Sequence, residues 1–82
     1  MKYQIEIKQQ AIKDGKRIPK NILNRIFEKI ELLSNDLQGN IKHLTNFSPE
    51  YRLRVGDYRI LFELEDNTVV VYRIRNRKDV YR

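Results

Sequence analysis

Arg52, Arg54 and Arg59 lie within nine residues, in the stretch Tyr51-Arg52-Leu53-Arg54-Val55-Gly56-Asp57-Tyr58-Arg59. A guanidinium keeps its proton at any ordinary pH, and its planar fork matches the oxygens of a phosphate. Arginines gathered in one place therefore bind and stabilise anions, and do not shuttle protons. The backbone decides whether these three are gathered.

The stretch alternates apolar and basic residues at the period of a strand, breaks at Gly56-Asp57, and resumes through Ile60-Leu61-Phe62. Glycine at the first central position of a two-residue loop is the type II′ hairpin signature. Counting outward pairs Val55 with Tyr58, Arg54 with Arg59, Leu53 with Ile60, Arg52 with Leu61 and Tyr51 with Phe62. One face then carries Tyr51, Leu53, Val55, Tyr58, Ile60 and Phe62. The other brings Arg52, Arg54 and Arg59 within a patch about 10 Å across. Like charges directly opposite cost roughly 0.2–1 kcal/mol per pair, so either an anion is the partner or both guanidiniums splay into water.

The remaining elements must hold that hairpin. Residues 1–7 alternate Tyr3, Ile5 and Ile7 against polar neighbours, as a half-buried strand does. Residues 8–14 read as a short helix with Ala11 and Ile12 as its buryable side chains, and Gly15 reads as its C′ residue. Ile18-Pro19 opens the strongest helix signal, over about 19–34. Ile22, Leu23, Ile26, Phe27, Ile30 and Leu33 make one apolar stripe along it. Residues 35–49 read as a connection pinned by Leu37, Ile41, Leu44 and Phe47, with His43 as an edge packing residue.

After the hairpin, Glu65-Asp66-Asn67 forms a turn, followed by a strand from Thr68 to Ile74. A two-residue loop puts Arg73 on the core face. A three-residue loop puts Val70, Tyr72 and Ile74 inward and Val69, Val71, Arg73 and Arg75 outward, which is the more economical choice. It sets Arg73 beside Arg59 and leaves Leu61, Val69 and Val71 apolar on the outer face, a pattern that points to a protein partner. The resulting architecture is α+β, with N-terminal helices packed on one face of a small twisted, mainly antiparallel sheet of about four strands.

Bulk composition narrows the chemistry. At 82 residues the chain makes one domain spanning 1–82, able to bury roughly 60–65% of its unfolded surface. It has no cysteine and one histidine, His43, which removes disulfides, thiolate zinc sites and any site of two imidazoles. No metal and no cofactor is expected. No apolar run approaches the roughly 18 residues of a membrane span, and no signal-peptide hydrophobic region follows Met1-Lys2-Tyr3. The expected compartment is the cytoplasm.

The net charge is +6 and the pI about 9.8, which favours an anionic partner. Seven of the nine arginines, at 52, 54, 59, 73, 75, 77 and 82, lie after residue 50.

In Ala11-Ile12-Lys13, Ile18-Pro19, the stretch from Tyr51 to Ile60 and the ending Arg77-Lys78-Asp79-Val80-Tyr81-Arg82, the chain resembles the RelE/ParE superfamily of bacterial and archaeal type II toxins, on its RelE-like branch. The resemblance runs over nearly the whole chain. It implies co-expression with a cognate antitoxin and, on that branch, endonucleolytic cleavage of mRNA in the ribosomal A site. By that resemblance Arg52, Arg54, Arg59, Arg77 and Tyr81 are the catalytic residues. Arg73, Arg75 and Lys78 are further RNA contacts, and Arg75 competes with Arg77 for the C-terminal catalytic place. Leu61, Val69 and Val71 are the expected antitoxin surface.

RNA can be cut without metal when its 2′-hydroxyl attacks the adjacent phosphate, which requires in-line positioning, charge stabilisation, a base and an acid. Arginines meet the first two. Tyr81 can stack on or orient a nucleotide. Relatives often carry lysines in the first hairpin strand or a histidine before the C-terminal arginine; here Arg52, Arg54 and Asn76 stand there. The base is then Tyr81, Glu63, Asp79 or a ribosomal group. The two other readings are a ParE-like inhibitor of DNA gyrase and a non-catalytic binding module on the same fold.

Overall fold

The computed structural model describes residues 2–44 and 48–80, the side chains of Asp79 and Val80 excepted. Its elements run β1 (Gln4–Ile7), α1 (Gln9–Gly15), α2 (Lys20–Leu33), β2 (Ile41–His43), β3 (Tyr51–Val55), β4 (Tyr58–Glu65), β5 (Thr68–Asn76) and α3 (Arg77–Val80). The strands form one mixed sheet in the order β1-β5-β4-β3-β2. It is antiparallel except where β1 runs parallel to β5.

The β3–β4 hairpin has the register that its alternation dictates, from Val55↔Tyr58 through Tyr51↔Phe62. Gly56 takes φ +59° at the turn, a conformation open to glycine without the steric cost of a Cβ. Leu53, Val55, Ile60 and Phe62 are buried on the inner face, and the Tyr51 and Phe62 rings stack with centroids 5.4 Å apart.

Helix α2 lies on that inner face because its stripe repeats at three and four residues, so Ile26, Ile30 and Leu33 are buried together. Pro19 sits at its N-cap, and the Pro19 carbonyl accepts from the Ile22 and Leu23 amides. At the other end the Ser34 hydroxyl donates to the Glu31 carbonyl at 2.6 Å. Each fully buried side chain of this core, Phe62 foremost, contributes roughly 1.5–3 kcal/mol. No helix among the described residues is long and apolar enough to cross a membrane.

Four expectations are corrected. The segment after α2 contains a fifth strand, β2, whose three residues pair with β3. Gly15 is the last residue of α1 rather than a left-handed C′; it is buried, and a Cβ there would meet Leu23 Cδ1 at 3.2 Å, so glycine serves the close approach of α1 to α2. Ile12 stays 49% exposed while Ala11 is buried.

The fourth concerns β5. Its loop from β4 has two residues, since Glu65 pairs with Thr68, and a bulge at Tyr72 then shifts the register between Leu61 and Phe62. A bulge inserts one unpaired residue and so reverses which positions face inward. Val69 and Val71 point inward before it, Ile74 points inward after it, and Arg73 and Arg75 remain outside. Val69 and Val71 are fully buried core residues, not part of an exposed surface. Neither a plain two-residue nor a plain three-residue loop describes this strand.

Helix α1 covers the free edge of β5 beyond the end of β1. The Lys8 amide donates to the Val71 carbonyl at 2.9 Å, and the Ile74 amide donates to Asp14 Oδ2 at 3.0 Å. A side chain thus replaces a strand at an otherwise open sheet edge.

Candidate functional site

Among the described residues, no helix equivalent to α2 covers the outer face of the sheet. Across it, the pairings Arg54↔Arg59 and Arg59↔Arg75 set three arginines side by side on three neighbouring strands. At strand spacing of about 4.8 Å the row is about 10 Å long. The next row down reads Lys42, Arg52, Leu61 and Arg73. The three arginines expected around the hairpin do come together, and the neighbour of Arg59 on β5 is Arg75 rather than Arg73.

Their environments differ. Arg54 is exposed, and Arg52 and Arg75 are half-buried. Arg59, central in the row, is only 4% exposed. Its Nη1 donates to the Tyr58 carbonyl at 3.3 Å and the Gly56 carbonyl at 3.4 Å, both long, and its Nε has no hydrogen-bond partner among the described residues. A buried donor without an acceptor costs roughly 1–3 kcal/mol, and more when charged.

Arg73 is held differently. Its Nε and Nη2 donate to the two carboxylate oxygens of Asp14 at 2.8 and 3.1 Å. Burial works to raise the Asp14 pKa. The hydrogen bonds from Arg73, the Ile74 amide and Gln10, with the Arg73 charge, outweigh it and hold the carboxyl below its ordinary value. The same hydrogen bond raises Arg73, against partial desolvation. Two partners 59 residues apart in the chain leave no local sequence signal, and Asp14 was not among the expected functional residues.

Arg77 and Lys78 are exposed at the start of α3. The Arg77 amide donates to the Asp57 carbonyl at 2.7 Å and the Lys78 amide to Asn76 Oδ1 at 3.0 Å. These two side chains, with Asp57 and Asn76, border a cleft of about 520 Å³ at the hairpin end of the sheet. Tyr81 lies outside the described residues.

Along β4 the outer positions read Arg59, Leu61, Glu63, Glu65, so the face is cationic at the hairpin end and anionic at the other. The anionic end is engaged internally. Glu63 Oε1 accepts from the Glu50 amide at 2.7 Å, the Tyr72 hydroxyl donates to Glu65 Oε2 at 2.7 Å, and Lys8 pairs with Glu6 at 2.9 Å. The bond to Glu65, with some desolvation, raises the Tyr72 phenol, and Glu6 raises Lys8. Glu63 stands four residues from Arg59, about 14 Å along the strand, too far to serve as base at a phosphate held by the arginine row. His43 is exposed at the sheet edge, 3.4 Å from Glu50 and beside the Tyr51 ring, as an edge packing residue would be.

Comparison with known proteins places the fold. Residues 5–81 match the family model of the ParE toxin of the type II toxin–antitoxin system parDE. Toxin RelE3 of Methanocaldococcus jannaschii is 37% identical over 75 residues, 85% of each chain. The RelB-RelE antitoxin–toxin complex from Methanococcus jannaschii contains a chain that superposes with a TM-score of 0.79 at 32% identity, covering 93% of this chain and 94% of that one. A chain of the toxin–antitoxin complex RelBE2 from Mycobacterium tuberculosis gives 0.80 at 26% identity, covering 93% and 99%. The helix-backed sheet is therefore that of a RelE-like type II toxin. The chain belongs to the ParE toxin family of type II toxin–antitoxin systems.

Proposed function

We propose that this toxin cuts mRNA in the ribosomal A site, the scissile phosphate lying on the row formed by Arg54, Arg59 and Arg75. One observation carries the reading: Arg59 is buried, faces an arginine on either side, and among the described residues leaves Nε without an acceptor. The fold neutralises Arg73 with a dedicated carboxylate, Asp14. Among the described residues Arg59 has no such carboxylate, and the phosphate of a substrate supplies a partner.

In the reaction the 2′-oxygen forms a bond to phosphorus as its proton passes to a base, and the bond from phosphorus to the 5′-oxygen breaks as that oxygen takes a proton. A 2′,3′-cyclic phosphate and a 5′-hydroxyl result. The arginines align the phosphate and stabilise the added negative charge. Arg52 and Arg77 extend the cationic surface on either side, and Tyr81 orients the nucleotide. Arginine cannot be the base, and Glu63 is too distant. That leaves Tyr81, Asp79 or a ribosomal group.

Primer extension on abundant mRNAs after brief induction of the toxin tests the reading, with Arg59→Ala as control. Discrete cuts inside translated codons, absent in the control, are expected. One competing reading, a ParE-like inhibition of gyrase, predicts arrested growth and an SOS response with intact messages. Intact messages with normal growth would identify a binding module.

A cognate antitoxin is the proposed protein partner, in line with solved relatives that are RelB–RelE complexes. Leu61 is half-buried between Arg52 and Arg73. It offers one apolar contact ringed by positive charge, which suits an acidic segment with an apolar anchor. Leu61→Ser is expected to cost about 1–2 kcal/mol of complex stability, roughly a 5–30-fold rise in Kd by calorimetry. Unchanged affinity would put the antitoxin on another surface.

A further inference from the structure

A second cationic cleft, of about 420 Å³, opens at the edge of β5 beyond the end of β1, lined by Asp14, Arg17, Tyr58, Arg73, Arg75 and Asn76 among others. We infer that it holds a phosphodiester of the substrate RNA strand flanking the bond to be cut, so that the strand crosses the sheet along the arginine row and leaves over the edge of β5. The inference rests on the cleavage reading above and extends its site.

Four features support it. Arg17 is exposed in the loop between α1 and α2, with no side-chain hydrogen bond or ion pair recorded among the described residues. Arg73 is fixed across the cleft by the Asp14 fork, which occupies Nε and Nη2 and leaves Nη1 as a donor on an immobilised cation. Asp14 is itself consumed by Arg73 and the Ile74 amide and stays ionised. Arg17 and Arg73 alone outweigh that carboxylate, so the described lining of the cleft is net positive.

The fourth feature is the backbone. The Arg77 amide bonds inward to the Asp57 carbonyl, so strand alternation points the Asn76 amide outward along the same free edge as that of Ile74. Ile74 is capped by Asp14, whereas Asn76 offers its N–H to a ligand. A fixed guanidinium, neighbouring cations and a backbone donor in a concave edge suit a phosphate oxygen. Arg75 lines both the row and the cleft. From Arg59 the cleft is about 10 Å away by strand spacing, within reach of a neighbouring phosphate.

The test is single-turnover cleavage by the full-length toxin on ribosomes carrying a short mRNA with a defined A-site codon. Arg17→Ala should raise the half-saturating toxin concentration 3–10-fold, Arg17→Glu should raise it further, and Arg17→Lys should recover most of the loss. The rate at saturation should change less than twofold, and the melting temperature should hold. An mRNA with an uncharged methylphosphonate at one flanking position should weaken wild type by a similar factor and Arg17→Ala by less than twofold. Wild-type behaviour of Arg17→Ala in a toxin that cuts overturns the inference alone. Equal methylphosphonate losses in both proteins at every flanking position would give the phosphate to ribosomal RNA and overturn the substrate-strand assignment. A wild-type toxin that cuts nothing overturns this inference together with the cleavage reading.

Discussion

Arg59→Met is expected to make the protein more stable and the toxin inactive. The guanidinium is 4% exposed, its Nε lacks an acceptor among the described residues, and its other contacts are long. Arg54 and Arg75 face it from both neighbouring strands, each like-charge pairing costing roughly 0.2–1 kcal/mol. Replacing buried charge by an apolar side chain of similar volume is often stabilising by about 1–4 kcal/mol. A gain of about 1–3 kcal/mol is the expectation here, read as a higher denaturation midpoint at unchanged slope. Cleavage should fall by at least about 10²–10³, the usual loss for one donor to a developing oxyanion. Inorganic phosphate should raise the melting temperature of the wild type by more than that of the variant, which keeps only the cleft at the edge of β5, since a ligand that prefers the folded state stabilises it. Loss of stability in Arg59→Met would show that the guanidinium holds the sheet together and would remove the main support for a phosphate there.

The hairpin could be read from the sequence because strict alternation and the Gly56-Asp57 break fix both its faces and its register. The same logic fails at Val69-Val70-Val71-Tyr72. Four consecutive apolar or aromatic residues carry no phase, and of the simple loops one buries Arg73 while the other exposes Val69 and Val71. The bulge at Tyr72 removes the conflict by letting Val69, Val71 and Ile74 all face inward while Arg73 stays out. One extra residue thus turned Val69 and Val71 of a predicted docking patch into core, put Val70 opposite Glu63 on the outer face, where it is buried, and left Leu61 half-exposed there. β2 was hidden by its length, three residues after a Gly-Asn turn. Gly15 was read by its local meaning as a helix stop, while its actual constraint is the Leu23 side chain of the next helix. The arginine row was visible through local pairing; the Asp14–Arg73 fork and the cleft beside it arise only once α1 folds against β5.

Asp14→Ala should be the most destabilising change at any surface-reaching polar residue of the protein. The side chain is 13% exposed and accepts four hydrogen bonds, two from Arg73, one from the Ile74 amide and a long one from Gln10 Nε2. Bonds to a charged group contribute about 1.5–3 kcal/mol, and the abandoned Ile74 N–H adds a penalty of its own. Arg73, 36% exposed, recovers part of its loss by turning to water, so the net cost is about 2–4 kcal/mol. For a domain of this size that lowers the melting temperature by roughly 10–25 °C. Asp14→Asn keeps an acceptor for Ile74 and removes the charge, and should lose about half as much. The pH dependence separates the two contributions. Because the folded protein holds the Asp14 pKa below that of the unfolded chain, its stabilisation is complete above the unfolded carboxylate value of about 3.9 and disappears as pH falls through the lower folded value. Wild type and Asp14→Asn should therefore differ by a constant amount from neutrality down to about pH 5 and converge in stronger acid. A difference that persists undiminished in that stronger acid would mean that the lost stability comes from the shape of the side chain and not from its charge.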